Sequence, residues 1–176
     1  VVWAVEETNA PVIIQMYSRL FDTDTARFMA PAVRDAMNRV KSPIAFHLDH
    51  GCGIAECIRA IRLGATGIMI DASTLPFDEN MRITKEAVRL AHEAGIGAEG
   101  EIGHIGSTKD ETQSEYTDVN DAVRFVNETG VDALAIMVGT AHGRYKKSPM
   151  LAIDRIKEIH SAADAHLVLH GGSGVP

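Results

Sequence analysis

The sequence predicts an α/β fold on a parallel sheet, specifically about six of the eight units of a parallel (β/α)8 TIM barrel. Three observations lead there: short continuous apolar runs, their regular recurrence, and amphipathic stretches between them. The runs are Val12-Ile13-Ile14, Ile44-Ala45-Phe46, Gly67-Ile68-Met69-Ile70, Ile96-Gly97-Ala98, Ala133 to Val138 and Leu167-Val168-Leu169. Each is too short for a buried helix and is bounded by Gly, Pro or polar residues. Continuous rather than alternating apolarity marks a parallel strand covered on both faces.

The runs begin at positions 12, 44, 67, 96, 133 and 167, so one recurs roughly every thirty residues, the rhythm of repeated βα units. Between them, residues 79–94 carry Ile83, Val88 and Leu90 among charges, and Gly95 follows as a left-handed C-cap. Asp118 caps a helix that runs through Val123 and Val126 and stops at Gly130. Leu151, Ile153, Ile156 and Ile159 fall near helical spacing within 150–163. Val1 to Glu7 reads as the end of a helix.

Six strands with intervening helices suit either a doubly wound sheet or part of an eight-stranded barrel. A complete barrel takes about 250 residues, and this chain has 176. The expectation is one partial barrel domain over 1–176, with one βα unit missing at each end and no second domain. Isolated, such a chain would leave two open strand edges and is expected to be unstable.

Composition narrows the function. A net charge of −7 and pI near 5.6 supply no basic excess for nucleic acid. No run of 18 apolar residues occurs, so no membrane span is expected, and no signal peptide is visible at the N-terminus. A cytoplasmic location is therefore expected. Cys52 and Cys57 read as reduced thiols near a helix start.

The chemistry points to histidine. Of eight histidines, three precede a glycine: His50-Gly51, His142-Gly143 and His170-Gly171. Each lies at or just past the end of a predicted strand. In a parallel barrel those ends converge on one mouth, and the glycine lets the backbone turn and approach a ligand. Three neutral imidazoles facing one point leave a fourth position open, the arrangement of a catalytic zinc site. The other reading is three hydrogen-bonded histidines at strand ends. Asp49 and His50 pose a difficulty, since adjacent residues of a regular strand face opposite ways. Both reach the mouth only if the strand ends there.

Asp49 either works as general acid and base on a metal-bound substrate or orients a histidine. Glu101, in Glu99-Gly100-Glu101, is either an alternate metal ligand, an outer carboxylate or an ordinary strand-end acid. His170-Gly171-Gly172-Ser173-Gly174 offers backbone N–H groups and a hydroxyl for a phosphate. Lys146 either adds a charge for that phosphate or is a solvated surface lysine.

At these residues the sequence resembles the class II, metal-dependent fructose-bisphosphate and tagatose-bisphosphate aldolases. The matching segments are HLDHG at 47–51, IDAS at 70–73, AEGEIG at 98–103, GTAHGRYK at 139–146 and LVLHGGSGVP at 167–176. They cover the chain from about residue 44; the first 40 residues match poorly. The resemblance implies zinc on His50, His142 and His170, with a monovalent cation as a further candidate. It implies Asp49 as the proton donor and acceptor beside the bond being broken. Gly143, Lys146, Gly171, Gly172 and Ser173 fall where family members hold the phosphate of dihydroxyacetone phosphate. Glu101 falls where some members show a second metal position. The loop after the family's fifth strand departs from the pattern: a glycine pair and an acidic pair are replaced by Gly106-Ser107-Thr108-Lys109-Asp110-Glu111. Asp110 and Glu111 are the candidates for its acid.

The expected activity is reversible aldol cleavage of a phosphorylated ketose to dihydroxyacetone phosphate and an aldehyde, by a homo-oligomer. Two alternatives stand beside it: another metal-dependent sugar-phosphate lyase or hydrolase on the same barrel, and a non-catalytic homologue.

Overall fold

Six parallel strands form one curved sheet in strictly sequential order, with helices on its outer side. The computed structural model describes residues 1–108 and 115–175. The strands are β1 (Val12–Tyr17), β2 (Ile44–Gly51), β3 (Gly67–Ile70), β4 (Gly97–Ile102), β5 (Ala133–Ile136) and β6 (His166–Val168), each hydrogen-bonded to the next. The helices are α1 (Val2–Thr8), α2 (Asp24–Arg39), α3 (Ile54–Arg62), α4 (Phe77–Glu93), α5 (Val119–Thr129) and α6 (Ile153–Ala162). This is a half-barrel of the kind the apolar runs predict.

Strand alternation sorts the side chains. Phe46, Leu48, Ile68, Ile70, Ala98, Leu134 and Ile136 point outward and are buried against the helices. The opposite face is concave and lines the interior: Ile13, Gln15 and Tyr17 on β1, Ala45, His47 and Asp49 on β2, and Glu99 and Glu101 on β4. Ile13 stays 63% exposed, although it sits on the inner face. One side of that interior has no strand among the described residues.

The expected helices form, although α4 starts at Phe77 rather than 79 and α6 spans Ile153–Ala162 rather than 150–163. Asp118 accepts hydrogen bonds from the N–H groups of Asn120 and Asp121, and Gly130 closes α5 at φ 75°. Gly95, at φ 72°, turns the chain after α4. Two helices lack an individual forecast. The buried face of α2 is mostly small (Ala26, Ala30, Val33) and Pro31 interrupts its hydrogen bonding. α3 has nine residues, too few for a periodicity to declare itself. β5 ends at Ile136, so Met137 and Val138 belong to the loop that carries His142. Among the described residues, no helix is long and apolar enough to cross a membrane.

Candidate metal centre at the mouth of the half-barrel

His50, His142 and His170 come together at the C-terminal ends of β2, β5 and β6. One ligand atom from each lies within 4.8 Å of the others, a grouping able to hold a metal ion. Ring centroids are 4.9 Å apart for His50 and His142, 4.5 Å for His50 and His170, and 5.8 Å for His142 and His170.

The backbone explains how adjacent Asp49 and His50 serve one mouth. β2 does not end at Asp49; it continues to Gly51. Instead its pairing with β3 shifts between Leu48 and Gly51, and His50 sits at φ 50°. A left-handed residue inside a bulge re-aims its side chain, at a cost of about 1–2 kcal/mol for a residue with a Cβ. Asp49 Oδ1 ends 3.9 Å from His50 Nε2.

The glycines after the histidines permit close approach. A Cβ on Gly171, at φ 68°, would stand 2.6 Å from the carbonyl oxygen of Ala141, joining the His142 and His170 loops too tightly for any side chain. Gly143, at φ 121°, would place one 2.5 Å from Thr108 Oγ1. The Thr108 N–H in turn donates to the carbonyl of His142 at 2.8 Å.

Carboxylates fix which nitrogen faces the site. His50 Nδ1 lies 2.8 Å from Asp71 Oδ2, which leaves Nε2 buried without a partner. His170 Nε2 lies 2.7 Å from Glu99 Oε1, which leaves Nδ1 free. His142 Nε2 is buried and unpartnered. Buried nitrogens without partners are costly in a folded protein, and as ligand atoms they fit a divalent ion. Glu99 also reaches His47, whose Nε2 is 3.1 Å from Oε2 but off the line of a good hydrogen bond.

Ionisation follows the same contacts. Burial opposes charge on Glu99, yet His170 and His47 hold it as a carboxylate with its pKa lowered to about 2. Burial likewise opposes charge on Asp71, and its hydrogen bonds from His50 and Ser73 lower it to about 2. For His50, burial disfavours the imidazolium, but Asp71, Asp49 and Glu101 together raise its pKa. His142 is lowered, by burial and by its neighbours His50 and His170. Glu101 is raised, chiefly by burial and then by Asp71. Its Oε1 accepts from Ser73 Oγ and from the Ile105 N–H, both at 3.0 Å, while Oε2 is buried and unpartnered 4.0 Å from His50 Nδ1. His50, Asp71 and Glu101 form a second grouping able to hold an ion.

Asp49, His142, Gly143, His170, Gly171, Gly172 and Ser173 share one cavity of about 570 Å³. Lys146 is not in it. It lines a neighbouring cleft of about 470 Å³ with Ser107, Thr108 and Lys147. Tyr145 stands between the His142 and His170 loops, its hydroxyl accepting from the Ala141 N–H at 2.7 Å and donating to the Gly171 carbonyl at 2.9 Å. Asp110 and Glu111 lie outside the described residues. Cys57 is buried with its thiol pushed up to about 12, and it takes no part in the site.

Glu99, Asp71 and Tyr145 have no assigned role in the sequence reading. Glu99 and Glu101 are two apart on one strand, so both face the interior; that spacing was the available signal. Asp71 stands inside the IDAS segment.

With this geometry in place, the fold can be matched to known proteins. The crystal structure of the YdjI aldolase from Escherichia coli K12 superposes with a TM-score of 0.88 at 34% identity, over 99% of this chain and 62% of that one. The family model described as fructose-bisphosphate aldolase class-II matches residues 1–176, and the chain belongs to that family. The match includes the first 40 residues, which carry none of the motif segments. Among curated relatives, a sulfofructosephosphate aldolase of Alkalicoccus urumqiensis is 40% identical over 98% of this chain and 62% of its own length. A fructose-bisphosphate aldolase of Giardia intestinalis is 42% identical over 98% of this chain and 56% of its own length. The chain thus spans about three fifths of the curated relatives it matches.

Proposed function

We propose that this chain is the metal-binding and catalytic part of a class II ketose-phosphate aldolase. The observation that carries the reading is the convergence of three histidines, each with a ring nitrogen left free, beside Asp49 at the mouth. In this reading His50, His142 and His170 hold zinc. The bound ion would supply a Lewis acid that polarises the substrate carbonyl and stabilises negative charge when the carbon–carbon bond breaks.

The chain's own residues do the rest. Asp71 and Glu99 accept from the outer nitrogens of His50 and His170 and so set the ring orientations. Asp49 takes the hydroxyl proton in cleavage and returns it in condensation. Backbone N–H groups at Gly143, Gly171 and Gly172, with the Ser173 hydroxyl, hold the phosphate of the dihydroxyacetone phosphate half. Lys146 joins them only if its loop turns from the neighbouring cleft toward the cavity. Glu101 offers a second position for the ion, together with His50 and Asp71. The loop acid stays with Asp110 or Glu111. The barrel closes with further βα units beyond the six described, which would cover the exposed Ile13 and the free edges of β1 and β6.

The substrate is a ketose phosphate with a second acidic group. The names of two relatives specify such molecules, one with a sulfo group and one with a second phosphate. The test is cleavage of fructose 1,6-bisphosphate, tagatose 1,6-bisphosphate and sulfofructose phosphate by the purified protein, with and without EDTA. Cleavage that EDTA abolishes and zinc restores supports the reading. Bound zinc with no turnover of any of them would make the protein a non-catalytic homologue.

A further inference from the structure

A second cationic position lies just past the end of β1, next to the tyrosine that neighbours His50. Tyr17 ends β1 in register with Asp49, and alternation places it on the inward face with Ile13 and Gln15. Tyr17 is 45% exposed, and its ring centroid lies 6.2 Å from that of His50. The chain then enters a 3-10 turn, Ser18–Asp22, in which the guanidinium carbon of Arg19 stands 5.6 Å from the Tyr17 ring centroid. Stacking on an aromatic face holds a guanidinium in place without neutralising it. Asp22, the acid of that same turn, is committed to Arg59. No carboxylate among the described residues lies within 4.0 Å of Arg19.

The arrangement is polar at both ends. The glycines and Ser173 share a cavity with His142 and His170, and that cavity reaches Ile13 and Gln15 of β1; Tyr17 ends the same strand beside His50, and Arg19 follows it. A molecule with its carbonyl at the histidines and one phosphate in the cradle extends its other end toward β1. Arg19 stands no farther from the His50 ring than the two separations above combined.

We propose that Arg19, braced on Tyr17, binds the distal acidic group of the substrate, a phosphate or sulfonate at the end of the aldehyde half. This rests on the aldolase reading and deepens it, by assigning the selection of a second anion to a residue that touches neither the metal ligands nor the cradle. A guanidinium forms paired hydrogen bonds with a tetrahedral oxyanion, which an ammonium reproduces only in part.

The experiment uses the zinc-loaded protein and two non-cleavable probes, glucitol 1-phosphate and glucitol 1,6-bisphosphate, titrated by calorimetry into the parent, Arg19→Met and Arg19→Lys. The parent should bind the bisphosphate more tightly. Arg19→Met should lose about 10–100-fold on the bisphosphate, the range expected for one charge-assisted contact, and keep its affinity for the monophosphate. Arg19→Lys should recover part of the loss. A parent without preference, or Arg19→Met with the preference intact or with both probes weakened alike, overturns the assignment alone. A parent that binds neither probe removes the aldolase reading, and this inference with it.

Discussion

Glu99 offers the sharpest test of how the histidines are held. Its side chain is buried, and its two oxygens serve two imidazoles: Oε1 at 2.7 Å from His170 Nε2 and Oε2 at 3.1 Å from His47 Nε2. Glu99→Ala removes the acceptor of His170 and the carboxylate beside His47. His170 is then free to turn or to adopt the tautomer that protonates Nδ1, the nitrogen left for metal. Loss of such an outer partner typically weakens metal binding by about 10–100-fold, or about 1.4–2.8 kcal/mol. Glu99→Gln preserves the volume and keeps one carbonyl acceptor, so its loss should fall at the low end of that range. Zinc affinity would be read by competition with a chromophoric chelator, with circular dichroism to confirm that each variant is folded. A folded Glu99→Ala protein with parental zinc affinity would refute the argument, because His170 would then need no partner to present Nδ1.

Asp49→Asn should retain zinc and lose about 10²–10⁴-fold in turnover, the usual loss for a positioned acid–base group; steady-state kinetics on metal-replete protein checks it. Zinc competes with the proton on His50, whose pKa is raised, so affinity should hold above that pKa and fall by up to about tenfold per pH unit below it. Titrations between pH 8 and pH 6 read the slope. Asp71→Asn, by removing the carboxylate that favours the His50 imidazolium, should move the fall to lower pH. Gly171→Ala should destabilise the fold by about 1–3 kcal/mol, since φ 68° and the Ala141 carbonyl leave no room for a Cβ; thermal melts measure it.

The sheet was legible because strands such as β3 are buried on both faces, and that burial writes itself into sequence as continuous runs such as Gly67-Ile68-Met69-Ile70. The candidate ligands were legible because a histidine followed by glycine is rare enough to stand out three times. What was hidden depends on tertiary contact. The partner of His170 is 71 positions away, and nothing local distinguishes Glu99 from Glu101. The left-handed conformation of His50 is imposed by a bulge against β3, which no pattern in HLDHG announces. α2 hid behind an alanine face and a proline. Lys146 lies close in sequence to His142, and its loop carries it into a separate cleft.

The central claim is that one metal ion sits among His50, His142 and His170. Anomalous diffraction from zinc-loaded crystals, recorded at the zinc absorption edge, tests it most directly. The account predicts a peak with one nitrogen of each histidine at about 2.0–2.1 Å, supplied by Nε2 of His50 and Nδ1 of His170. A peak among His50, Asp71 and Glu101 only, or three rings turned to different partners with no shared peak, would contradict it.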